Sequence, residues 1–158
     1  MINHQYKKIK RLKYKDISLY IQIMESLFAQ DSVKKLTDED FMDNSKSKIE
    51  LKQHDNSYIL VLFYTNNMKH KDILSIWPEA AKKVVGPIFA SVNLSESENI
   101  KKSLTKLNMK AGTLKWSALT KVPFILIYNK GIPITFYDGE ITVQDIINYS
   151  LILSCKFE

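Results

Sequence analysis

Short apolar blocks alternate with polar stretches along most of this chain. Ile17, Tyr20, Ile21, Met24, Leu27 and Phe28 recur at i, i+3, i+4, i+7, i+10 and i+11, the stripe of an amphipathic helix. Asp16 is its N-cap candidate, and Asp31-Ser32 breaks the pattern. Leu19 and Ile23 widen the stripe, so this helix needs a burial partner. Val33 to Leu36 is a short strand candidate, and Thr37 or Asp38 caps a helix through Phe41. Tyr58 to Tyr64 is apolar without a break and rich in β-branched and aromatic residues, which predicts a central strand buried on both faces. Asn66 to Lys71 is a polar loop.

Helical spacing returns over 72–84, with Ile73, Ile76, Trp77, Ala80, Ala81 and Val84 inward and Pro78 as a kink. Pro87 to Asn93 predicts a strand. Ser95 predicts the cap of a helix through Leu107, with Glu98 completing a capping box. Asn108 to Lys121, containing Gly112 and Trp116, reads as a long loop or partial helix. Phe124 to Tyr128 and Ile132 to Tyr137 flank Asn129-Lys130-Gly131, a strong hairpin signal. Thr142 caps a last helix with Val143, Ile146, Ile147, Ser150 and Leu151 on one side. The order is α, then β-α-β-α-β-α-β-β-α, which predicts a mixed, largely parallel sheet closed by an antiparallel hairpin.

Charge divides the chain. Its 158 residues carry 23 Lys plus Arg against 17 Asp plus Glu, a formal net charge of +6. Six of those cations (Lys7, Lys8, Lys10, Arg11, Lys13 and Lys15) fall in the first fifteen residues, which hold no acid. From Asp16 onward the balance is therefore 17 against 17, a neutral body behind a basic arm. This excludes a globally basic nucleic-acid-binding domain and assigns any electrostatic partner to the arm. The organisation expected is a basic flexible tail over 1–15, an amphipathic helix over 16–31 and one domain over 32–158.

Cys155 is the only cysteine, so no intrachain disulfide and no cysteine-based zinc site can be built. No signal-peptide core follows the basic segment, and the longest apolar run is too short to span a membrane. Asn93-Leu94-Ser95 and Asn148-Tyr149-Ser150 fit the glycosylation pattern but lack an export signal beside them. The expectation is a reducing, intracellular, cytoplasmic setting. Lysine outnumbers arginine 22 to 1, and Ile and Asn are abundant, the signature of an AT-rich genome such as those of some bacteria, protists and large DNA viruses.

The element order resembles the thioredoxin-like fold of thioredoxin and protein disulfide isomerase domains over about residues 32–154. Val33 to Phe41 is similar to their opening strand and helix, and Tyr58 to Tyr64 to their central strand, ending in Phe-Tyr. Pro78 matches the kinking proline of their second helix. Val122-Pro123-Phe-Ile-Leu-Ile-Tyr-Asn-Lys-Gly131 resembles the segment in which a cis proline precedes the hairpin. Phe136-Tyr-Asp-Gly139 with a Thr-capped helix matches the family's end. The resemblance implies a cis Val122–Pro123 bond, whereas the residues alone suit a trans proline opening an ordinary strand.

The departures from that pattern bear on function. Redox members carry Cys-x-x-Cys between the central strand and the second helix. Here that stretch is Thr65 to Asp72, with Met68 or Ile73 at the cysteine positions, so thiol–disulfide exchange has no nucleophile. Redox members also often bury an acid just before the Phe of the central strand, and Leu62 stands there. The expectation is a redox-inactive, non-enzymatic module without cofactor or metal. It would act structurally or in protein–protein interaction, as a minor capsid or assembly component of a large-DNA-virus particle. Its candidate protein-binding residues are Asn67, Met68, His70, Trp116, Val122 and Pro123.

Other chemistry has weaker footing. His70 is a loop histidine with no nucleophile of recognisable context beside it, and His4 and His54 lie in polar segments. A non-thiol enzyme at His70 or a monothiol enzyme at Cys155 is the alternative. Another is a tether to nucleic acid or an acidic surface through residues 1–15, where Tyr6 and Tyr14 interleave with the cations. Asp38-Glu39-Asp40 stands at a helix start, which accounts for it without a metal. The glycines form no phosphate loop. Trp77 is expected in the core, and Trp116 is open between a contact role and local packing.

Overall fold

Strand β2 (Tyr58–Tyr64) is buried at every position, and the sheet is built around it. The computed structural model describes residues 19, 33–42, 49–53, 55, 57–66, 71–105, 108–111, 114–117 and 122–155. Strand β1 (Val33–Leu36) and strand β3 (Ile88–Asn93) run parallel to β2, while strand β6 (Phe124–Asn129) is antiparallel to it and strand β7 (Ile132–Phe136) antiparallel to β6. The spatial order is β1-β3-β2-β6-β7, a mixed five-stranded sheet. Between β6 and β7, Lys130 and Gly131 adopt φ of 53° and 78°, the pair of left-handed residues that a two-residue hairpin turn matched to strand twist requires.

The period-2 geometry of β2 divides the core in two. Tyr58, Leu60, Leu62 and Tyr64 join Trp77, Phe89 and Ile127 on one face; Ile59, Val61 and Phe63 join Leu104, Leu126 and Phe136 on the other. Helix α1 (Ile73–Lys83) and helix α3 (Val143–Cys155) cover the first face, and helix α2 (Glu98–Thr105) with Phe41, Ile49 and Leu51 covers the second. Trp77 is fully buried in α1; its Nε1 donates to the Ala90 carbonyl at 2.9 Å and its ring tilts onto Phe89 at 4.6 Å. Pro78 lies within α1. Thr142 caps α3, its Oγ1 accepting from the Asp145 amide at 3.1 Å.

Four expectations are corrected. The helix through Phe41 is a 3-10 turn, Asp38–Asp40, because Phe41 turns extended and bridges Leu51. Asp40 closes that turn by accepting from the Thr37 amide at 2.8 Å. Ser95 does not cap α2, which starts at Glu98 after a 3-10 turn over Leu94–Glu96. The Asp38 carboxylate caps it instead, accepting from Ile100 at 3.1 Å and Asn99 at 3.4 Å across sixty residues of sequence.

The stretch over 108–121 contains a hairpin rather than a loop or helix. Strands β4 (Asn108–Ala111) and β5 (Leu114–Ser117) pair antiparallel, with Met109 opposite Trp116. The alternation of Met109, Ala111, Leu114 and Trp116 about Gly112-Thr113 is the strand period. In α3 the buried positions are Ile146, Ser150 and Leu153, while Leu151 is half-exposed. The tail over 1–15 and the helix expected over 16–30 lie outside the described residues apart from Leu19, which is helical.

Candidate functional site

Parallel strands β2 and β3 end side by side, and the chain leaves β2 for the start of α1. Open α/β sheets carry their ligands at such carboxyl ends. The register places Phe124 opposite Phe63, their rings stacked at 4.9 Å, so Val122 and Pro123 stand beside the end of β2. The Val122–Pro123 peptide is cis. Pro123 is buried and Val122 half-buried, so of these two candidates Val122 carries the accessible surface. Trp116 is in β5. Asn67, Met68 and His70 lie outside the described residues, as do the six cations of the arm.

An amide–hydroxyl network ties the strand ends together. Asn93, buried at the end of β3, donates from Nδ2 to the Asn66 Oδ1 at 3.0 Å. Its Oδ1 accepts from the Ser95 amide at 3.0 Å, and Ser95 Oγ accepts from the Asn66 amide at 3.1 Å. The network fixes where the loop leaves β2 and satisfies groups that would be costly to bury alone. Sequence reasoning passed over it; the available signal was two polar residues closing otherwise apolar strands. Leu62 is fully buried and pairs in register with Ser91. The Ser91 hydroxyl is buried with no hydrogen-bond partner among the described residues.

No thiol reaches this end. Cys155 is exposed and closes α3, and the preceding Ser154 lies 3.5 Å from the Cβ position of Gly86, just before β3 begins. That is the opposite end of β3 from Asn93, about 20 Å away at six strand residues. Among the described residues no group of His, Cys, Asp and Glu could hold a metal ion, and no helix is long and apolar enough to cross a membrane.

No family model matches the sequence, and no curated protein matches it. Solved structures are similar in fold. The chain matches the J-Trx1 fragment of ERdj5 at TM-score 0.54 and 15% identity, over 79% of this chain and 53% of that one. It matches zinc-bound human ERp44 at TM-score 0.52 and 16% identity, over 76% and 30%. The first two thioredoxin domains of Naumovozyma dairenensis Eps1p give TM-score 0.52 and 18% identity, over 74% and 39%. The chain thus spans about half or less of the structures it matches. With the strand order, these likenesses define the class: an α/β protein of thioredoxin-like fold. Within that class, this chain has a single cysteine and no Cys-x-x-Cys pair.

Proposed function

We propose that this chain is a redox-inactive thioredoxin-like module that works by holding another polypeptide. One observation carries this: its only thiol lies at the far end of the sheet from the strand-end site, where Asn66, Asn93 and Ser95 bond one another and Val122 is half-buried. Such a surface suits capture of an extended segment through backbone hydrogen bonds beside Val122. Thiol–disulfide exchange needs a thiolate at the site, and a single cysteine cannot cycle through an intrachain disulfide.

The finer reading is an assembly role inside a larger particle, in keeping with the AT-rich coding signature and the large-DNA-virus setting it suits. On this reading Asn67, Met68, His70, Trp116 and Val122 form or border the contact surface, and the basic arm meets an acidic surface. Two measurements test it. Insulin reduction is expected to stay at the uncatalysed rate, and thioredoxin-like turnover would overturn the redox-inactive assignment. A photo-crosslinking residue at position 122 is expected to capture protein far more efficiently than one at Lys101 on α2. Equal yields at the two positions would count against the strand-end surface.

A further inference from the structure

A second feature lies where β7 leads into α3. Tyr137, Asp138, Gly139, Glu140, Asp145 and Tyr149 line an open groove of about 440 Å³. Its walls are aromatic: the Tyr137 and Tyr149 rings meet edge to face at 5.1 Å and 79°. Its geometry is fixed locally. The Tyr137 hydroxyl donates to the Glu140 carbonyl at 2.5 Å, and a Cβ on Gly139 would fall 2.6 Å from that hydroxyl, so only glycine lets the ring lie there.

The charge is one-signed. Asp138, Glu140 and Asp145 converge on the groove, and no Lys or Arg lines it. None of the three forms an ion pair among the described residues. Elsewhere Glu79 meets Lys83 at 3.4 Å, Glu96 meets Lys35 at 3.7 Å, and Asp38 accepts from the amides of α2. Burial first, and then the three groove carboxylates, push the Tyr137 phenol up to about 12. Carboxylates set among aromatic faces make a receptor for lysine and arginine side chains, by Coulomb attraction and by cation–π contact.

We propose that this groove docks the chain's own basic arm, Lys7 to Lys15, in cis. Charge complementarity selects the occupant: the body beyond residue 15 is neutral, and all six surplus cations belong to the arm. The reach is sufficient. Val33 opens β1 at one sheet edge, and the groove lies beyond the opposite edge and the opposite strand end. A five-stranded width of about 19 Å and a four-residue strand of about 13 Å set that diagonal at about 23 Å. Even at a compact rise of about 1.5 Å per residue, residues 16–32 can reach about 26 Å. Docked, the arm has three of its six charges answered. A stronger acidic partner would have to displace it from the groove, which makes the contact an internal competitor.

Zero-length carbodiimide cross-linking of the full chain tests this, with linked peptides mapped by mass spectrometry. Amide links are expected from Lys7–Lys15 to Asp138 or Glu140, falling at least about fivefold between roughly 50 mM and 500 mM salt. They should vanish in the D138N/E140Q double variant, which spares the capping Asp145. A mixture of isotope-labelled and unlabelled chains is expected to give links within copies only. Mixed labelled–unlabelled links at the share expected of random pairing would mean a second copy fills the groove and would overturn docking in cis. Arm links spread over other acids, or none to Asp138 and Glu140, would overturn the groove itself. The wild-type linkage map decides the matter even if the double variant fails to fold.

Discussion

The two regions of interest in this molecule, both at the sheet end where β2, β3 and β7 finish, are built from different chemistry. At the carboxyl ends of β2 and β3 the described side chains are amides, hydroxyls and hydrocarbon: Asn66, Asn93, Ser95, Leu62 and Val122. At the entrance to α3 three carboxylates gather around two tyrosines. The first is where thiol chemistry is placed in redox proteins of this fold, yet the central strand has no Asp, Glu, Lys, Arg, His or Cys. The second carries the concentrated charge. On the redox-inactive reading proposed above, the scaffold presents a shaped surface where β2 and β3 finish and carries its concentrated charge at the α3 entrance.

Restoring an acid to the first region gives the largest expected effect. Leu62→Asp puts a carboxyl at a fully buried position beside Ile73 and Leu74, with no cation in its core cluster. A buried unpaired charge costs several kcal/mol, so a loss of about 3–5 kcal/mol is expected in urea unfolding at neutral pH. The loss should shrink as the pH falls and the carboxyl is protonated. A loss under about 1 kcal/mol would show that this region already tolerates charge and would erase the contrast.

Next in size is the amide network. Asn93→Ala leaves the Ser95 amide and the Asn66 side chain without their partner. An expected destabilisation of about 1–3 kcal/mol follows from stranding buried polar groups. Asn93→Asp keeps the acceptor for Ser95 but loses the donor to Asn66, and an intermediate cost is expected. If both variants unfold at the wild-type midpoint, the network does not hold the strand ends.

Sequence made the sheet legible wherever periodicity was strong. The unbroken run of β2, the hairpin at Lys130-Gly131 and the Thr142 cap all announce themselves locally. What escaped was long-range or weak. Nothing near Asp38 says that it caps a helix sixty residues away. The hairpin of β4 and β5 was obscured because each strand has four residues, too few for alternation to stand out beside Gly112. The groove was legible only in part: Asp145 and Tyr149 share a helix face at i, i+4, but that Tyr137 and Glu140 join them is a product of the β7–α3 corner. For the strand-end site, the resemblance located the region and the missing cysteines, while the Asn66–Asn93–Ser95 bonds depend on β2 and β3 ending in register.

A smaller effect of opposite sign is expected beside Leu62. Ser91→Ala removes a buried hydroxyl that has no partner among the described residues, so its desolvation cost disappears with little change in packing. Stability should rise by up to about 1 kcal/mol by urea unfolding. A loss of more than about 1 kcal/mol would show that the hydroxyl is satisfied and that the site end holds more polar structure than hydrocarbon packing.

The mildest test reads the second region by titration. Burial first, then Asp145, Asp138 and Glu140, raise the Tyr137 pKa from 10.0 to about 12 in the fold. The unfolded chain lacks those influences and ionises near the ordinary value, so between pH 10 and about 12 it sheds a proton that the folded chain keeps. The contribution of Tyr137 to stability is therefore complete below pH 10 and is lost as the pH rises through about 12. Tyr137→Phe should flatten that segment of the stability curve. Asp138→Asn should lower the phenolate midpoint, read by ultraviolet absorbance, while leaving neutral-pH stability within about 0.5 kcal/mol, as expected for an exposed carboxylate. Tyr128, buried and donating to the Ile49 carbonyl at 2.8 Å, provides the internal reference: its pKa is raised by burial, with no named carboxylate contributing. Asp138→Asn should leave its titration unmoved. A shift that includes Tyr128 would mean the substitution loosened the fold, whereas one confined to Tyr137 and its neighbour Tyr149, which burial and Asp138 also raise, fixes the negative field at the α3 entrance.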